Sequence, residues 1–242
     1  MKSEEIGYIQ EDNGQWRFKL RVPDFLARWD VYAVWEKERT LNMEKNLKPG
    51  MVLFDIGAEK GWQSAVYAQF VGGENMVLIE PTAEYWPNLK FIWEENKLGM
   101  PKMCFAGLIS PKSLGAQPVL NKWPAESDGP LFDGLKYVYL HDNPGNQQAS
   151  IDDLALLAKP DALTMDCEGV EIRILEGAIE TLRNHRPLVW ASLHPDMALA
   201  NYGSNISEVH NLMASVGYTG KLLGTDHEEH WFFWPEERQV EL

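Results

Sequence analysis

Apolar positions along the chain switch between two periods, and the switches mark its elements. Residues 6 to 22 alternate about Asp12-Asn13-Gly14, with Ile6 and Tyr8 before the turn and Trp16, Phe18, Leu20 and Val22 after it. Alternation around an Asn-Gly pair predicts a β-hairpin. From Pro23 to Pro49 the spacing of Phe25, Leu26, Trp29, Val31, Val34, Trp35, Leu41, Met43 and Leu47 suits helices that end at Lys48-Pro49-Gly50. Beyond that point short apolar runs predict strands at 51–55, 76–80, 102–106, 162–166 and 187–193. Helical spacing predicts helices at about 62–70, 84–97, 169–184 and 205–216, with Pro87 tolerated in a first turn. The runs 218–223 and 231–234, separated by Gly224 to His230, predict a closing antiparallel pair. Strands alternating with helices imply an α/β fold. The expected architecture is a mostly parallel seven-stranded sheet with an antiparallel closing hairpin and helices on both faces.

One stretch breaks the alternation. Between Ile109 and Ser150 lie Pro111, Gly115, Pro118, Pro124, Gly129, Pro130, Gly134, Pro144 and Gly145, with a single strand candidate at Lys136–Leu140. Long irregular segments in compact domains are functional loops or surface excursions. The expected organisation is therefore a hairpin and helical extension over 1–48, then one domain over 49–242 with an insertion at about 109–150 that faces substrate.

Composition narrows the partners. With 242 residues and 45% hydrophobic content the chain can bury a full core. Its 22 basic and 36 acidic residues give a formal charge of −14, which disfavours nucleic acid and anionic membrane. Neutral or cationic small molecules, glycans and proteins are easier partners; oligomeric state leaves no mark in the sequence. Cys104 and Cys167 fall in apolar runs and read as reduced core residues, so a cytoplasmic site is expected. The first residues lack an apolar signal core, and no run approaches the roughly 18 apolar residues of a membrane span.

The chemistry begins at two predicted strand ends. The run Val52-Leu-Phe-Asp55-Ile-Gly57-Ala58-Glu59-Lys60-Gly61 is a buried strand that stops at an acid and turns on two glycines. Glycine there allows close backbone approach to a ligand, and the helix that follows aims free N–H groups at an anionic group. The second strand ends in Glu80, placed to accept both hydroxyls of a ribose. Three residues separate Gly57 from Gly61, so neither G-x-G-x-x-G nor a phosphate loop is present. That spacing makes a nicotinamide oxidoreductase a poor fit. Acids at 55 and 59 repel a polyphosphate and suit a ligand with an amine; S-adenosylmethionine has a sulfonium, an ammonium, one carboxylate and a ribose. An ordinary α/β turn with glycine for geometry is the alternative.

A second group lies further along. Asp166-Cys167-Glu168-Gly169 ends the fourth predicted strand of the sheet, and Leu193-His194-Pro195 ends the fifth. Ligands in such sheets bind beyond the carboxyl ends of strands, so Asp166, Glu168 and His194 should share a crevice with Gly57 and Glu80. They form a candidate acid/base group, since histidine titrates near neutrality and a carboxylate can orient it. The same three could hold a divalent cation, although no ligand spacing demands one and no metal is assigned. A hydrogen-bonded structural histidine is the plainer alternative. Ser150 and Asp153 read as a helix cap, and His227 to His230 as a solvated turn.

With these residues together, the chain resembles the FkbM-type methyltransferases from about Trp35 to Pro235. The resemblance rests on Asp55-Ile-Gly-Ala-x-x-Gly61, Ile79-Glu80-Pro81, Ser150-Ile-Asp-Asp-Leu154, and Met165-Asp-Cys-Glu-Gly-Val-Glu171 with Leu175-Glu-Gly-Ala178. The Asp-x-Glu-Gly-x-Glu segment is its most specific part. It implies a Rossmann-like class I methyltransferase fold and S-adenosylmethionine-dependent methylation of an oxygen, often on a sugar or small metabolite. It also implies that Asp55, Gly57, Gly61 and Glu80 hold the cofactor, with Ala58 and Pro81 from the same two motifs. Glu59 stands where the family usually has Asn, and Ser110 where it usually has an acid. Contacts to the adenine are therefore expected from backbone around Ala106 and Gly107. An acid is also common near Ser192, so altered catalysis, or a non-catalytic interaction protein that retains the fold, is the competing reading.

Overall fold

In the computed structural model, residues 2–28, 36–112, 118–140 and 147–242 are described. The predicted hairpin forms as β1 (Ser3–Gln10) and β2 (Trp16–Pro23), antiparallel, with Ile6 opposite Leu20 and Tyr8 opposite Phe18. It makes a sheet of its own and packs Ile6, Tyr8, Phe18 and Leu20 into a cluster with Trp62, Phe70 and Leu89. The helical reading at Trp29, Val31, Val34 and Trp35 lies outside the described residues, as do Gly115, Pro144 and Gly145 in the irregular segment. Helix α1 (Lys37–Asn46) stops just before Pro49, which cannot donate to a continuing helix.

The chain then runs β3 (Leu53–Ile56), α2 (Trp62–Val71), β4 (Met76–Ile79), α3 (Trp86–Glu95), β5 (Met103–Phe105), β6 (Leu108–Ile109), β7 (Val119–Leu120) and β8 (Gln148–Ala149). It continues α4 (Ile151–Ala155), β9 (Ala162–Asp166), α5 (Glu171–Glu176), α6 (Ile179–Asn184), β10 (Leu188–Leu193), α7 (Pro195–Tyr202), α8 (Ile206–Ser215), β11 (Tyr218–Thr225) and β12 (Glu229–Pro235). The main sheet has the order β11-β12-β10-β9-β3-β4-β5-β7. Strands β10, β9, β3, β4 and β5 are parallel, and β12 and β11 close the sheet as an antiparallel pair. These are the seven predicted strands. The eighth, β7, is a two-residue antiparallel edge on β5, too short to show a period.

Three elements differ from the sequence reading. Lys136–Leu140 forms no strand but runs as irregular chain. The helix predicted over 169–184 is two helices, because the chain breaks at Gly177. A Cβ there would lie 2.5 Å from the Ser110 carbonyl oxygen, and the Gly177 carbonyl accepts from Asp152 N. Helix α7, unmarked by any apolar period, starts on Pro195 in its first turn.

The pleat sorts the sheet's side chains onto two cores. Leu53, Met76, Leu78, Cys104, Ala162, Leu188 and Trp190 face α1, α2, α3 and the hairpin. Phe54, Val77, Ile79, Met103, Phe105, Leu163, Met165, Val189 and Ala191 face α4 to α6 and α8. Strands buried on both faces read as continuous apolar runs, which is why they were legible. The polar exceptions share one face. Asp55, Thr164 and Ser192 are in phase with Leu53, Ala162 and Trp190, and are nearly or fully buried.

Candidate functional site

Parallel strands that leave β3 in opposite directions open a crevice at their carboxyl ends. Here β4 lies on one side of β3 and β9 on the other, and a cavity of about 380 Å³ occupies that place. Gly57, Glu59, Glu80, Pro81, Gly107, Asp166, Glu168 and His194 line it. The irregular segment Leu135–Leu140 closes it from above, tied down by Tyr85, whose hydroxyl accepts from Lys136 N at 2.8 Å. Asn88 holds the preceding chain through Phe132 N and O at 3.0 and 2.7 Å.

Of the eight residues assigned to a cofactor by sequence, Gly57, Glu80, Pro81 and Gly107 line the cavity, whereas Asp55, Ala58, Gly61 and Ala106 do not. Asp55 misses it because of pleat phase. It points beneath α2, where burial raises its pKa to about 6 against a lowering contact with Ser64. The glycines also have a different reason from the one expected. A Cβ on Gly57, at φ +84°, would sit 2.1 Å from the Asp166 carbonyl oxygen, and one on Gly61, at φ +90°, would sit 2.6 Å from a Leu89 methyl. Their smallness lets the chain approach itself. The Gly57 and Ala58 amides donate to the Ile79 carbonyl, fastening the turn to β4.

Glu80 is held by backbone. Its two carboxylate oxygens accept from Thr82 N at 2.7 Å and Glu59 N at 2.9 Å. Burial is the larger influence and raises its pKa to about 7 despite those hydrogen bonds. Glu59, with φ +46°, also lines the cavity, and burial raises its carboxyl.

Asp166, Glu168 and His194 do come together. His194 Nε2 lies 3.5 Å from Asp166 Oδ1 and 3.8 Å from Glu168 Oε2. The turn after β9 makes this geometry, with consecutive left-handed residues at Glu168 (φ +56°) and Gly169 (φ +97°). Two further acids complete the group. Glu171 Oε1 receives His194 Nδ1 at 2.9 Å, together with Cys167 N and Gly169 N. Glu228 Oε2 stands 2.7 Å from His194 Nε2. Burial alone would lower the His194 pKa, but Glu171, Glu228 and Asp166 raise it to about 11. The expected titration near neutrality is thus corrected: these acidic neighbours favour the protonated ring. Burial, reinforced by Glu228 and Glu36, raises Asp166 well above the carboxylate range. Burial also raises Glu168. For Glu228 burial is outweighed by His194, and its carboxyl is held below the ordinary range.

Beneath the group lies Arg39, fully buried. It pairs with Glu36, donates to Thr164, donates to Ser192 Oγ at 2.8 Å, and approaches Asp166 at 4.0 Å. Glu36 lines the cavity and also receives Gln63 Nε2. His230 Nδ1 meets Ser192 Oγ at 3.0 Å, and its Nε2 meets Asp226 at 3.1 Å. The solvated-turn reading therefore fails for Glu228 and His230, both 3% exposed, and holds for His227.

Sequence reasoning missed Glu36, Arg39, Glu171 and Glu228. A signal existed for Glu228. The closing hairpin pairs Leu193 with Glu229, so the residue before β12 must lie beside the residue after β10. Glu171 lies three residues after Glu168 in the same motif. Arg39 and Glu36 carry no local mark. Ser110 forms a small turn with Lys112 and does not line the cavity.

Residues 139–220 match the methyltransferase FkbM domain family. No curated protein matches the chain. Among solved structures, the methyltransferase FkbM from Methylobacillus flagellatus KT is 15% identical with TM-score 0.52, over 79% of this chain and 44% of that one. The precorrin-6y C5,15-methyltransferase from Geobacter metallireducens GS-15 is 10% identical with TM-score 0.47, covering 83% and 87%. TYW2 from M. jannaschii, in complex with AdoMet, is 13% identical with TM-score 0.45, covering 89% and 80%. The chain thus spans less than half the length of the FkbM structure it matches. No helix among the described residues is long and apolar enough to cross a membrane. The sequence resemblance is borne out over residues 139–220, which match the FkbM methyltransferase domain, within a chain that has the Rossmann-like class I methyltransferase fold.

Proposed function

We propose that the chain is an S-adenosylmethionine-dependent methyltransferase that acts on a hydroxyl of a sugar, glycan or small metabolite. One observation carries the reading. The Gly57 and Glu80 strand ends and the Asp166, Glu168 and His194 group open on the same cavity.

The residues present fit the cofactor. Each Glu80 oxygen accepts a single backbone N–H and retains a lone pair for a ribose hydroxyl. Glu36, Glu59, Asp166 and Glu168 line the same space, and such an acidic wall attracts a ligand with a sulfonium and an ammonium. Trp62 and Gln63, at the start of α2, also line it, where helix N–H groups suit a carboxylate. Gly107 and Leu108 offer backbone and apolar surface to the base.

When bound, the cofactor supplies an electrophilic methyl group. Attack by a hydroxyl oxygen releases one proton, which the chain must receive. His194, already protonated, is poorly suited to that task. Glu168 is the proposed proton acceptor: its side chain is 26% exposed on the cavity, and its raised pKa makes it a stronger base than an ordinary carboxylate. His194, 3.8 Å from Glu168 and 3.5 Å from Asp166, links the three. The two cysteines are free, which supports a reducing, cytoplasmic setting.

Calorimetry with S-adenosylhomocysteine tests the reading. Wild type should bind, and Glu80→Ala should lose binding; a wild type that does not bind, or an unchanged Glu80→Ala, sinks the cofactor assignment. Glu168→Gln should keep binding and lose turnover of labelled methyl.

A further inference from the structure

We propose that Asp166, His194 and Glu228 form a divalent-cation site on the cavity wall, and that its cation takes hydroxyl oxygens of the methyl acceptor. The first part stands on the side-chain geometry alone; the second rests on the methyltransferase reading.

The three residues arrive from three elements. Asp166 ends β9, His194 follows β10, and Glu228 precedes β12, so the sheet sets their donor atoms within 4.8 Å of one another. His194 is oriented as a ligand. Its Nδ1 meets a Glu171 oxygen that already accepts from two backbone N–H groups, so Glu171 is an acceptor and Nδ1 carries hydrogen. That leaves Nε2 turned towards Asp166 and Glu228. A carboxylate behind an imidazole is the usual backing of a metal-bound histidine.

Glu228 supplies the independent observation. Its side chain is 2% exposed, and Oε2 has no hydrogen-bond partner among the described residues. It nevertheless lies 2.7 Å from His194 Nε2, without the alignment of a hydrogen bond. Neighbouring donors on one ion with bonds of about 2.1 Å sit roughly 3 Å apart, so this spacing suits shared coordination. Asp166, Glu168, Glu171 and Glu228 surround one imidazole, and a divalent ion among such carboxyls favours their ionised, ligating forms.

Two carboxylates and one imidazole suit a hard or borderline ion such as Mn²⁺ or Mg²⁺. Such an ion takes about six ligands, so about three positions remain for oxygen from the cavity side. An acceptor with two neighbouring hydroxyls, as on a sugar, fills two of them. Glu168 stays free of the ion to receive the proton. The other trio, Asp226, His227 and Glu228, shares Glu228 but rests on an exposed histidine and an exposed aspartate, and is not assigned.

The test is Mn²⁺ alone, titrated into the full chain and followed by electron paramagnetic resonance. Wild type should bind a single ion with nitrogen coupling from an imidazole. Glu228→Gln and Asp166→Asn should abolish binding, Glu171→Gln should weaken it by roughly 10–100-fold, and His227→Ala should leave it unchanged. Circular dichroism on the same preparations shows that each variant is folded, and S-adenosylhomocysteine calorimetry is run beside it. No bound ion in wild type, a bound ion without nitrogen coupling, or unchanged binding in folded Glu228→Gln and Asp166→Asn overturns the site. Mn²⁺ binding without S-adenosylhomocysteine binding fails the cofactor reading alone, and the reverse fails the cation site alone.

Discussion

The two walls of the cavity are built on different principles. On the Glu80 side, the polar groups are held by backbone nearby in sequence: Thr82 N and Glu59 N fix the carboxylate, and the Ile79 carbonyl fixes the turn. On the His194 side, order comes from the imidazole of His194 set against the carboxyl groups of residues 166, 168, 171 and 228. A backbone-held wall is present before ligand arrives. A charge-held wall keeps its geometry only while every partner remains, because a buried charge left alone is costly. Substitutions on the first side should therefore change cofactor affinity, and those on the second should change stability and turnover together.

Gly57→Ala should have the largest effect, since it strikes the seam between the walls. Its Cβ would fall 2.1 Å from the Asp166 backbone oxygen, in a left-handed conformation, with neither strand able to yield. A loss above about 4 kcal/mol in urea unfolding is expected. Gly61→Ala, which meets mainly the end of the Leu89 side chain, should cost about 1–3 kcal/mol. Equal costs would mean that the strand seam is not what requires glycine. Arg39→Ala comes next. It strands Glu36 and Asp166, and should cost about 3–5 kcal/mol. Arg39→Lys should recover only part, because a lysine cannot reach Thr164 and Ser192 with one planar fork. Should Arg39→Ala leave methyl transfer intact, the charge-held wall would lose its main support.

The same contrast explains what was legible in the sequence. Strands buried on both faces announce themselves as apolar runs, and the Gly57–Gly61 turn and Glu80 sit at the ends of two such runs, so this side was read almost whole. Asp55 shows the limit. Being next to the turn in sequence is not facing the cavity, and one step of pleat phase puts Asp55 under α2 instead. Asp166, Glu168 and His194 were found by the same strand-end logic. Their partners were not, since Glu228 depends on hairpin register and Arg39 on a helix that precedes the sheet. Without those partners the histidine looked like an ordinary neutral base.

The smallest effect expected is a pH dependence of the backbone-held wall, and its two signs make it specific. Burial raises Glu80 to about 7 from an ordinary 4.5, so between those values the folded chain carries a proton that the unfolded chain has released. Stability from this group therefore rises as pH falls from about 7 towards 4.5, by at most about 3 kcal/mol. Ribose hydroxyls need the ionised form, so S-adenosylhomocysteine affinity must move the other way. About nine-tenths of the groups are ionised at pH 8 and about one-tenth at pH 6, which predicts a Kd roughly tenfold weaker at the lower pH. Glu80→Gln isolates this effect: subtracting its unfolding profile from that of wild type should leave stability rising toward acid. If affinity and stability instead fell together on acidification, loss of the folded state would explain both. Glu80 would then have no separate part in holding the ribose.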